Sequence, residues 1–429
     1  MKKILKSFYI IIFNIIVILY LSELLLTIFL FSKNNVDLDL DYIRYAKAKE
    51  LGIDFDKRTY YQAFFDEKKK IPSLAPSYYF SKFHFERDIG SGKKIQYFIK
   101  SKLANNVLIP FRGPINKKTM SCNESGKRRI INNDKNGFKN PNSIYQKKIN
   151  IFLIGDSFTE GNCYDEKRDV AGFLRNKFKI NTANYGVAGS GPLLSLAVLK
   201  EYANYYKPDF VFYFFYEGND MQDLKDEKET FLINYLDNFN QNLIGRNDEI
   251  QQFLLDYENL AYEFLKERLA NTKNKYDDYD NKVEANIKKI KGRERVEIVK
   301  DFLELQQLKE FFFLKSIFNP KFNIDKRLFV KVLRKMQSEI ASWNGKFIVV
   351  YLPAWNRFNR KYLIANYLYK KKIENIIKST NISYIDMTRE FKKVNDPINL
   401  FPLGLYGHYT ADGYLLVAKN ILKNIDIDY

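Results

Sequence analysis

The C-terminal two-thirds of the chain contains short apolar runs, each followed by small or polar residues. The first run, Ile151 to Ile154, leads into Gly-Asp-Ser at positions 155–157. Another, Asp209 to Tyr216, is almost continuously apolar and aromatic. Further runs occupy residues 345–353 and 382–385. Continuous apolar runs of this length are typical of strands that are buried on both faces, as in a parallel sheet.

Segments with apolar residues at helical spacing separate these runs. They predict helices at about residues 170–178, 193–206, 360–379 and 415–425. Strands that alternate with helices indicate an α/β fold with a central parallel sheet. Between about residues 222 and 335 the chain is rich in Glu, Lys, Leu, Asn and Gln. We interpret this part as a large helical insertion within an α/β domain at residues 149–429, and not as a separate domain.

Residues 7–31 form a nearly unbroken apolar run near the N-terminus. As a helix, these 25 residues would extend about 37 Å, enough to cross a bilayer core of roughly 30 Å. No Ala-x-Ala pattern follows, which favours an uncleaved transmembrane signal anchor over a signal peptide or a buried core helix. The lysines in residues 1–6 favour a cytoplasmic tail, with the rest of the chain periplasmic or extracellular. Glu23 is costly in lipid and should lie near an interface or face a partner.

Residues 32–148 are polar and rich in aromatic residues, with weak periodicity. We interpret them as an extracytoplasmic segment that packs on the catalytic domain and has no activity of its own. Cys122 lies in this segment, and Cys163 lies six residues after Ser157. In an oxidising compartment the two cysteines can form a disulfide that pins the segment beside the active site; otherwise they are two unrelated buried thiols. The membrane anchor favours the disulfide.

Composition and charge limit the possible functions. The chain has 429 residues, of which 46% are hydrophobic and 16% aromatic, so it can bury a large core. The net charge of +19 comes from scattered Lys and Arg residues. Scattered charge does not favour nucleic-acid binding and is more consistent with solubility and with attraction to anionic lipid or acidic glycan. Only two histidines are present, His84 and His408, so a histidine-rich metal site is not expected.

Small and polar residues follow three of the predicted strands, and a histidine lies in the last loop. Ser157 follows the strand at 151–154, and Asn219 follows the strand at 209–216. Gly189 lies between them in the glycine-containing sequence 182–192, after a further strand, and His408 precedes the last helix. In open α/β sheets, chemistry takes place just outside the carboxyl ends of the strands. Taken singly, Asp156 or Ser157 is more often a helix cap, and a lone histidine such as His408 is more often structural. The shared location of Ser157 and His408 favours a catalytic pair.

Together these sequences resemble the SGNH or GDSL-type serine hydrolase family. The resemblance covers roughly two-thirds of the chain and rests on four motifs in order: Gly-Asp-Ser at 155–157, Gly189, Gly-Asn-Asp at 218–220, and His408. It implies a flavodoxin-like three-layer sandwich with a central parallel sheet. It also implies a nucleophilic Ser157, a general base at His408, and an oxyanion hole made by the N–H groups of Ser157 and Gly189 and the side-chain amide of Asn219. No metal or organic cofactor is implied.

One position departs from the family pattern. The family usually has an aspartate three residues before the histidine, where it orients the imidazole, and this chain has Leu405 there. Either Ser157 and His408 act as a dyad, or another carboxylate takes this role. Asp386 and Asp396 are the candidates, and Asp386 is preferred because it follows a predicted strand.

Three functions fit these features. The preferred one is a membrane-anchored serine esterase that removes acyl groups, with acetyl favoured, from an extracytoplasmic glycan or a small ester. The second is an O-acyltransferase of an envelope polysaccharide with the same fold and nucleophile, since a missing orienting acid weakens hydrolysis. The third is a catalytically silent anchored binding protein. The expected partners are an acylated substrate and, through the N-terminal helix, membrane lipid, but not nucleic acid.

Overall fold

The structure is a computed structural model. It describes residues 2–30, 40–80, 94–95, 98–101, 108–272, 299–300, 302–305, 308, 324–358 and 363–425. Part of the predicted helical insertion, including residues 273–298, lies outside the described residues.

Five strands form the central sheet, and every neighbouring pair in it is parallel. In chain order they are β1 (Ile151–Gly155), β2 (Thr182–Gly186), β3 (Phe210–Tyr216), β4 (Lys346–Leu352) and β5 (Ser383–Asp386). Their spatial order is β2-β1-β3-β4-β5, which is the flavodoxin-like order. In this arrangement ligands bind where the strand order reverses, between the carboxyl ends of β1 and β3. The predicted α/β fold with a parallel sheet is confirmed.

Helices flank the sheet and precede it. In chain order they are α1 (Lys2–Leu30), α2 (Leu40–Glu50), α3 (Tyr60–Lys70), α4 (Ser157–Glu160), α5 (Val170–Asn176), α6 (Pro192–Val198), α7 (Asp220–Glu227), α8 (Asn247–Ala270), α9 (Lys326–Ala341), α10 (Leu363–Lys378), α11 (Met387–Lys392) and α12 (Ala411–Leu422). A π-helical turn at Leu199–Ala203 and a short helix at Asn204–Tyr206 extend α6.

Both faces of the sheet are covered, because successive side chains along a strand point to opposite faces. On one face Phe152 and Tyr213 pack in a core with α6, α9 and α10. On the other face Leu153 and Phe212 pack in a core with α5, α11 and α12. Every residue of β1 and β3 is buried, which explains why these strands are apolar without alternation.

The connection from β3 to β4 contains the predicted insertion. It includes α7, α8 and α9, and the predicted end of the insertion near residue 335 falls inside α9. That helix belongs to the layered core, since Phe329, Val332 and Met336 are fully buried in it. The helix α8 packs against α3, with the rings of Phe64 and Tyr262 6.0 Å apart, and its buried side chains join the same core cluster.

The segment before β1 shares its core with the sheet. Phe64, Phe111 and Phe138 belong to the same buried cluster as Phe152 of β1. The ring of Phe138 lies 4.2 Å from that of Tyr185 in β2. Two short antiparallel ladders lie in this segment, and their strands are Tyr78–Tyr79 with Arg112–Gly113 and Lys118–Met120 with Ile130–Asn132. The segment is therefore built onto the α/β layers.

In the described part of the chain, α1 is long and apolar enough to cross a membrane. Its span Lys6–Leu25 has a mean hydropathy of 2.3. The carboxylate of Glu23 is buried and accepts the N–H of Leu308 at 2.7 Å. The hydroxyl of Tyr20 donates to the carbonyl of Leu303 at 3.2 Å. Glu23 therefore faces a partner, as its cost in lipid predicted.

Candidate active site

The turn after β1 places Ser157 at the start of α4. Gly155 has a φ of +145°, and a Cβ there would lie 2.2 Å from Oγ1 of Thr159 and 2.7 Å from the carbonyl oxygen of Phe214. Only glycine fits this turn. Asp156 caps α4, since its Oδ1 accepts the N–H of Phe158 at 2.9 Å. The capping role weighed for this motif thus falls to Asp156, which leaves the hydroxyl of Ser157 for other contacts.

His408 reaches Ser157 from the loop before α12. Its Nε2 lies 2.8 Å from Oγ of Ser157, although the two residues are 251 positions apart. The buried hydroxyl of Tyr409 anchors this loop by donating to the carbonyl of Pro353 at 2.6 Å. Thr410 then caps α12. The loop is thereby held over the carboxyl end of the sheet, where the sequence predicts the catalytic histidine.

The carboxylate that orients His408 comes from the segment before the sheet. Oε1 of Glu124 lies 3.1 Å from Nδ1 of His408, and Oε2 accepts the backbone N–H of His408 at 2.8 Å. With its Nδ1–H directed at Glu124, the imidazole presents Nε2 as the acceptor for the hydroxyl of Ser157. Ser157, His408 and Glu124 therefore have the geometry of a catalytic triad.

The expectation that Asp386 orients His408 is wrong. Asp386 lies at the end of β5, the edge strand, three positions from β1 in the sheet. Its Oδ1 accepts the N–H of Thr388 at the start of α11, and its Oδ2 accepts Nζ of Lys370 at 2.5 Å. Asp396, the other candidate, caps the 3-10 helix Pro397–Leu400. Both carboxylates are engaged by groups near them in the sequence. The acid that contacts the imidazole is Glu124.

Arg44, on α2, holds Glu124 in place. Its Nη2 donates to Oε1 of Glu124 and to the carbonyl of Tyr406, each at 3.0 Å. The side chains of Arg44 and Glu124 are each only 9% exposed. Because Tyr406 lies two residues before His408, the guanidinium connects the acid with the loop that carries the base.

The charges of this group shift the two pKa values in opposite directions. Burial acts to raise the pKa of Glu124, but the charge and hydrogen bonds of His408 and the charge of Arg44 outweigh burial and lower this pKa to about 2. Burial acts to lower the pKa of His408, but Glu124 outweighs burial and raises this pKa above its ordinary value of 6.5. The imidazole is therefore a stronger base than an isolated histidine, which suits proton transfer from a hydroxyl.

Two backbone N–H groups, in the turns after β1 and β2, have no partner among the described residues. They belong to Ser157 and Gly189. Gly189 has a φ of +75°, and its loop is tied to β1 because Oγ of Ser190 donates to the carbonyl of Gly155 at 2.9 Å. The neighbouring N–H of Ala188 is engaged with Glu160. Free N–H groups next to a nucleophile are what an oxyanion hole requires.

Asn219 follows β3, as the sequence predicts. Its Nδ2 donates to Oδ2 of Asp223 at 2.7 Å, which orients the amide. An amide nitrogen carries two N–H bonds. One is used by Asp223, and no partner for the second is found among the described residues.

The segment before the sheet also supports the oxyanion loop. Nη2 of Arg112 pairs with Oε1 of Glu160 at 2.7 Å, and both side chains are almost fully buried. Oε2 of Glu160 in turn accepts the N–H of Ala188 at 3.0 Å. Since Ala188 precedes Gly189, this ion pair fixes the loop that carries Gly189.

Two buried carboxyls contact the turns after β1 and β2. Asp156 accepts the N–H of Phe158, and Glu227 accepts the N–H of Gly191. Burial raises the pKa of each carboxyl above its ordinary value and so favours its neutral form.

A disulfide lies next to the catalytic groups. Cys122 and Cys163, which the sequence leaves open as a disulfide or two separate thiols, are joined across a separation of 41 residues. Their sulfur atoms and a ring nitrogen of His408 lie within 4.8 Å of one another. Because Glu124 is two residues after Cys122, the disulfide tethers the loop of the acid to the loop that follows Ser157.

Sequence reasoning missed Glu124 and Arg44. The search for an acid covered the residues near His408 and the strand ends, and neither residue is at such a position. One signal was present in the sequence, because Glu124 is only two positions after Cys122. A disulfide from Cys122 to Cys163 brings the sequence neighbours of Cys122 close to Ser157.

Comparisons with known proteins do not place the chain in a family. No protein-family model matches it, and no curated protein matches it either. The fold is an α/β fold with a parallel five-stranded sheet, and the site is defined by its own geometry.

Proposed function

We propose that this chain is a membrane-anchored serine esterase of the SGNH type that acts on an extracytoplasmic ester. The observation that carries the proposal is the line of contacts from Oγ of Ser157 through the imidazole of His408 to the carboxylate of Glu124. The order of the family motifs along a sheet of flavodoxin-like strand order supports the SGNH assignment. The apolar helix α1 supports the anchor.

In the first half of the reaction, Oγ of Ser157 attacks the ester carbonyl carbon while Nε2 of His408 takes the hydroxyl proton. The carbonyl electrons move onto oxygen, and the N–H groups of Ser157 and Gly189, with the second N–H of Asn219, stabilise this oxyanion. When the oxyanion collapses, the bond to the alkoxide breaks. The alkoxide takes the proton from His408 and leaves as an alcohol.

In the second half, His408 takes a proton from water, and the resulting hydroxide attacks the acyl-enzyme. Collapse of the second oxyanion breaks the bond to Ser157, which regains its proton from His408, and the acyl group leaves as a carboxylic acid. Glu124, with a pKa of about 2, stays ionised throughout and stabilises each imidazolium.

We further propose that the substrate is an acylated glycan outside the cytoplasm. Acetyl is the favoured acyl group. An O-acyltransferase would share the first half of the reaction and differ in using an alcohol in place of water. The argument for transfer was a missing orienting acid, and Glu124 fills that role in the contacts of His408. The same contact weighs against a silent binding protein.

The test is covalent labelling of the detergent-solubilised full chain with a fluorophosphonate probe, together with turnover of p-nitrophenyl acetate. We expect labelling and turnover in the parent protein and in Ser338→Ala, which removes an exposed hydroxyl on α9. Both signals should be lost in Ser157→Ala. A folded parent that neither labels nor turns over the ester contradicts the proposal, as does labelling that survives Ser157→Ala.

A further inference from the structure

A cavity of about 680 Å³ lies between the segment before the sheet, α8 and the loops around the nucleophile. Its wall includes Asn162, whose N–H donates to the carbonyl of Ser157, and Ala188, which precedes Gly189. It also includes Asn123, the neighbour of Glu124. Ser157 and His408 are not among the described wall residues. The cavity therefore lies beside the loops that carry Ser157, Gly189 and Glu124, and it has room for a part of the substrate that does not react.

Aromatic side chains form much of the wall. Tyr60, Tyr61 and Tyr79 line the cavity and are half-buried, so that each ring is partly accessible. Tyr257 and Phe264 of α8 complete the apolar side. Tyrosine combines an apolar ring face with a hydroxyl, which suits a ligand that has both C–H surface and polar groups.

Three of the four guanidinium groups of the wall are paired with carboxylates, two of which also line the wall. Each of three guanidinium groups has a carboxylate partner within 3.0 Å, and the pairs are Arg44 with Glu124, Arg58 with Asp56, and Arg112 with Glu160. The fourth guanidinium, that of Arg128, lies over the ring of Tyr60 and near the charge of Asp56. An anionic ligand would have to compete with these carboxylates for the guanidinium groups. The cavity is therefore matched to an uncharged ligand.

Polar side chains interrupt the aromatic wall. Thr59, Ser77 and Asn162 line the cavity and are partly exposed. Hydroxyl and amide groups can both donate and accept, so a ligand hydroxyl can pair with either kind. An alkyl chain in the cavity would take water from these groups without replacing its hydrogen bonds.

From these features we propose that the cavity is the subsite for uncharged sugar units on the alcohol side of the ester. The proposal rests on the proposed esterase function, because Ser157 defines which part of the substrate reacts. Rings of Tyr60 and Tyr61 would pack on the C–H faces of the sugars, and sugar hydroxyls would pair with the polar side chains of the wall. The selectivity is opposite to the attraction for acidic glycan that the net charge of +19 suggested.

Binding tests this subsite without catalysis. In the full-length Ser157→Ala protein the ester stays intact, so calorimetry can compare O-acetylated xylo-oligosaccharides, which are uncharged, with O-acetylated oligogalacturonates, which carry a carboxylate on each ring. We expect at least about tenfold tighter binding of the uncharged probe, and about tenfold weaker binding of it after Tyr61→Ala. Tyr205→Ala, which removes a 65% exposed ring outside the described wall, is the matched control and should not change affinity.

A second variant tests the charge argument. Asp56→Asn removes the carboxylate that neutralises Arg58, so it should strengthen binding of the oligogalacturonate several-fold without strengthening binding of the uncharged probe. Equal affinity for the two probes, binding of neither, or an Asp56→Asn protein with no gain for the anionic probe overturns the subsite. Thermal unfolding of each variant checks that it is folded.

The two proposals fail in different ways. If fluorophosphonate does not label the protein but the sugar still binds, the esterase proposal is wrong and the sugar subsite stands. If Ser157 is labelled but sugar binding is not selective, the esterase proposal stands and the subsite proposal is wrong. Faster turnover of p-nitrophenyl octanoate than of the acetate, lost on Tyr61→Ala, would assign the cavity to an acyl chain instead.

Discussion

Replacement of Glu124 by glutamine removes one negative charge beside His408 while keeping the size of the side chain. In either orientation the new NH2 group faces a donor. At the position of Oε1 it opposes Nη2 of Arg44 and Nδ1–H of His408, and at the position of Oε2 it opposes the backbone N–H of His408. The amide cannot satisfy all these partners, and the imidazolium formed during the reaction loses its counter-charge.

The size of the effect follows from the contacts that are lost. In a Ser-His-Asp triad, an amide in place of the acid lowers kcat by about 10,000-fold, which corresponds to roughly 5.4 kcal/mol in the barrier. We expect kcat for p-nitrophenyl acetate to fall by about 1,000- to 10,000-fold in Glu124→Gln. KM should change little, because Glu124 orients the base and does not contact the ester.

The pH profile gives an independent reading. The neutral imidazole of His408 is the active form, so kcat/KM rises with pH through its pKa. Glu124 raises that pKa, and Glu124→Gln should therefore move the acidic limb of the profile to lower pH while the plateau falls. The matched control is Asp386→Asn, whose carboxylate pairs with Lys370 and should leave both kcat and the limb nearly unchanged. A large loss in Asp386→Asn with none in Glu124→Gln would refute the triad.

Two further variants test the support around Glu124. Arg44→Met removes two hydrogen bonds and should lower kcat by about 10- to 100-fold. Because the charge of Arg44 lowers the pKa of His408, its loss should also move the acidic limb to higher pH, opposite to Glu124→Gln; a parent-like profile would contradict the positioning role. Replacing Cys122 and Cys163 by serine should lower the free energy of unfolding, measured in urea, by about 4 kcal/mol for a 41-residue loop. It should also lower kcat, since Glu124 loses its tether, and parent-like stability with full kcat would argue against this role.

Much of the fold follows from local pattern. The runs at residues 151–154 and 209–216 become β1 and β3, both fully buried, because helices on the two faces of a parallel sheet require apolar residues on both sides of each strand. The helix predicted to start at Pro192 and to continue through residues 193–206 is α6, extended to Tyr206 by the π-helical turn and the short helix. The predicted insertion ended inside α9, because its polar positions face solvent while its apolar positions belong to the sheet core.

The sequence alone determined which site residues follow the ends of the strands. Ser157, Gly189, Asn219 and His408 each follow or face a strand end, and the parallel sheet gathers such ends at one edge. Which carboxylate orients His408 was decided only by the tertiary structure. Asp386 does follow a strand, but the strand order puts that strand at the far edge.

Glu124 and Arg44 come from a segment with no strand or helix pattern that points to catalysis. Glu124 meets a base 284 positions away, and Arg44 reaches Glu124 across 80 positions. Local periodicity predicts which face of an element is buried, but it carries no information on which distant polar side chains meet there. That pairing is set by how the segment packs on the sheet and by the disulfide that holds it, so only the tertiary structure contains it.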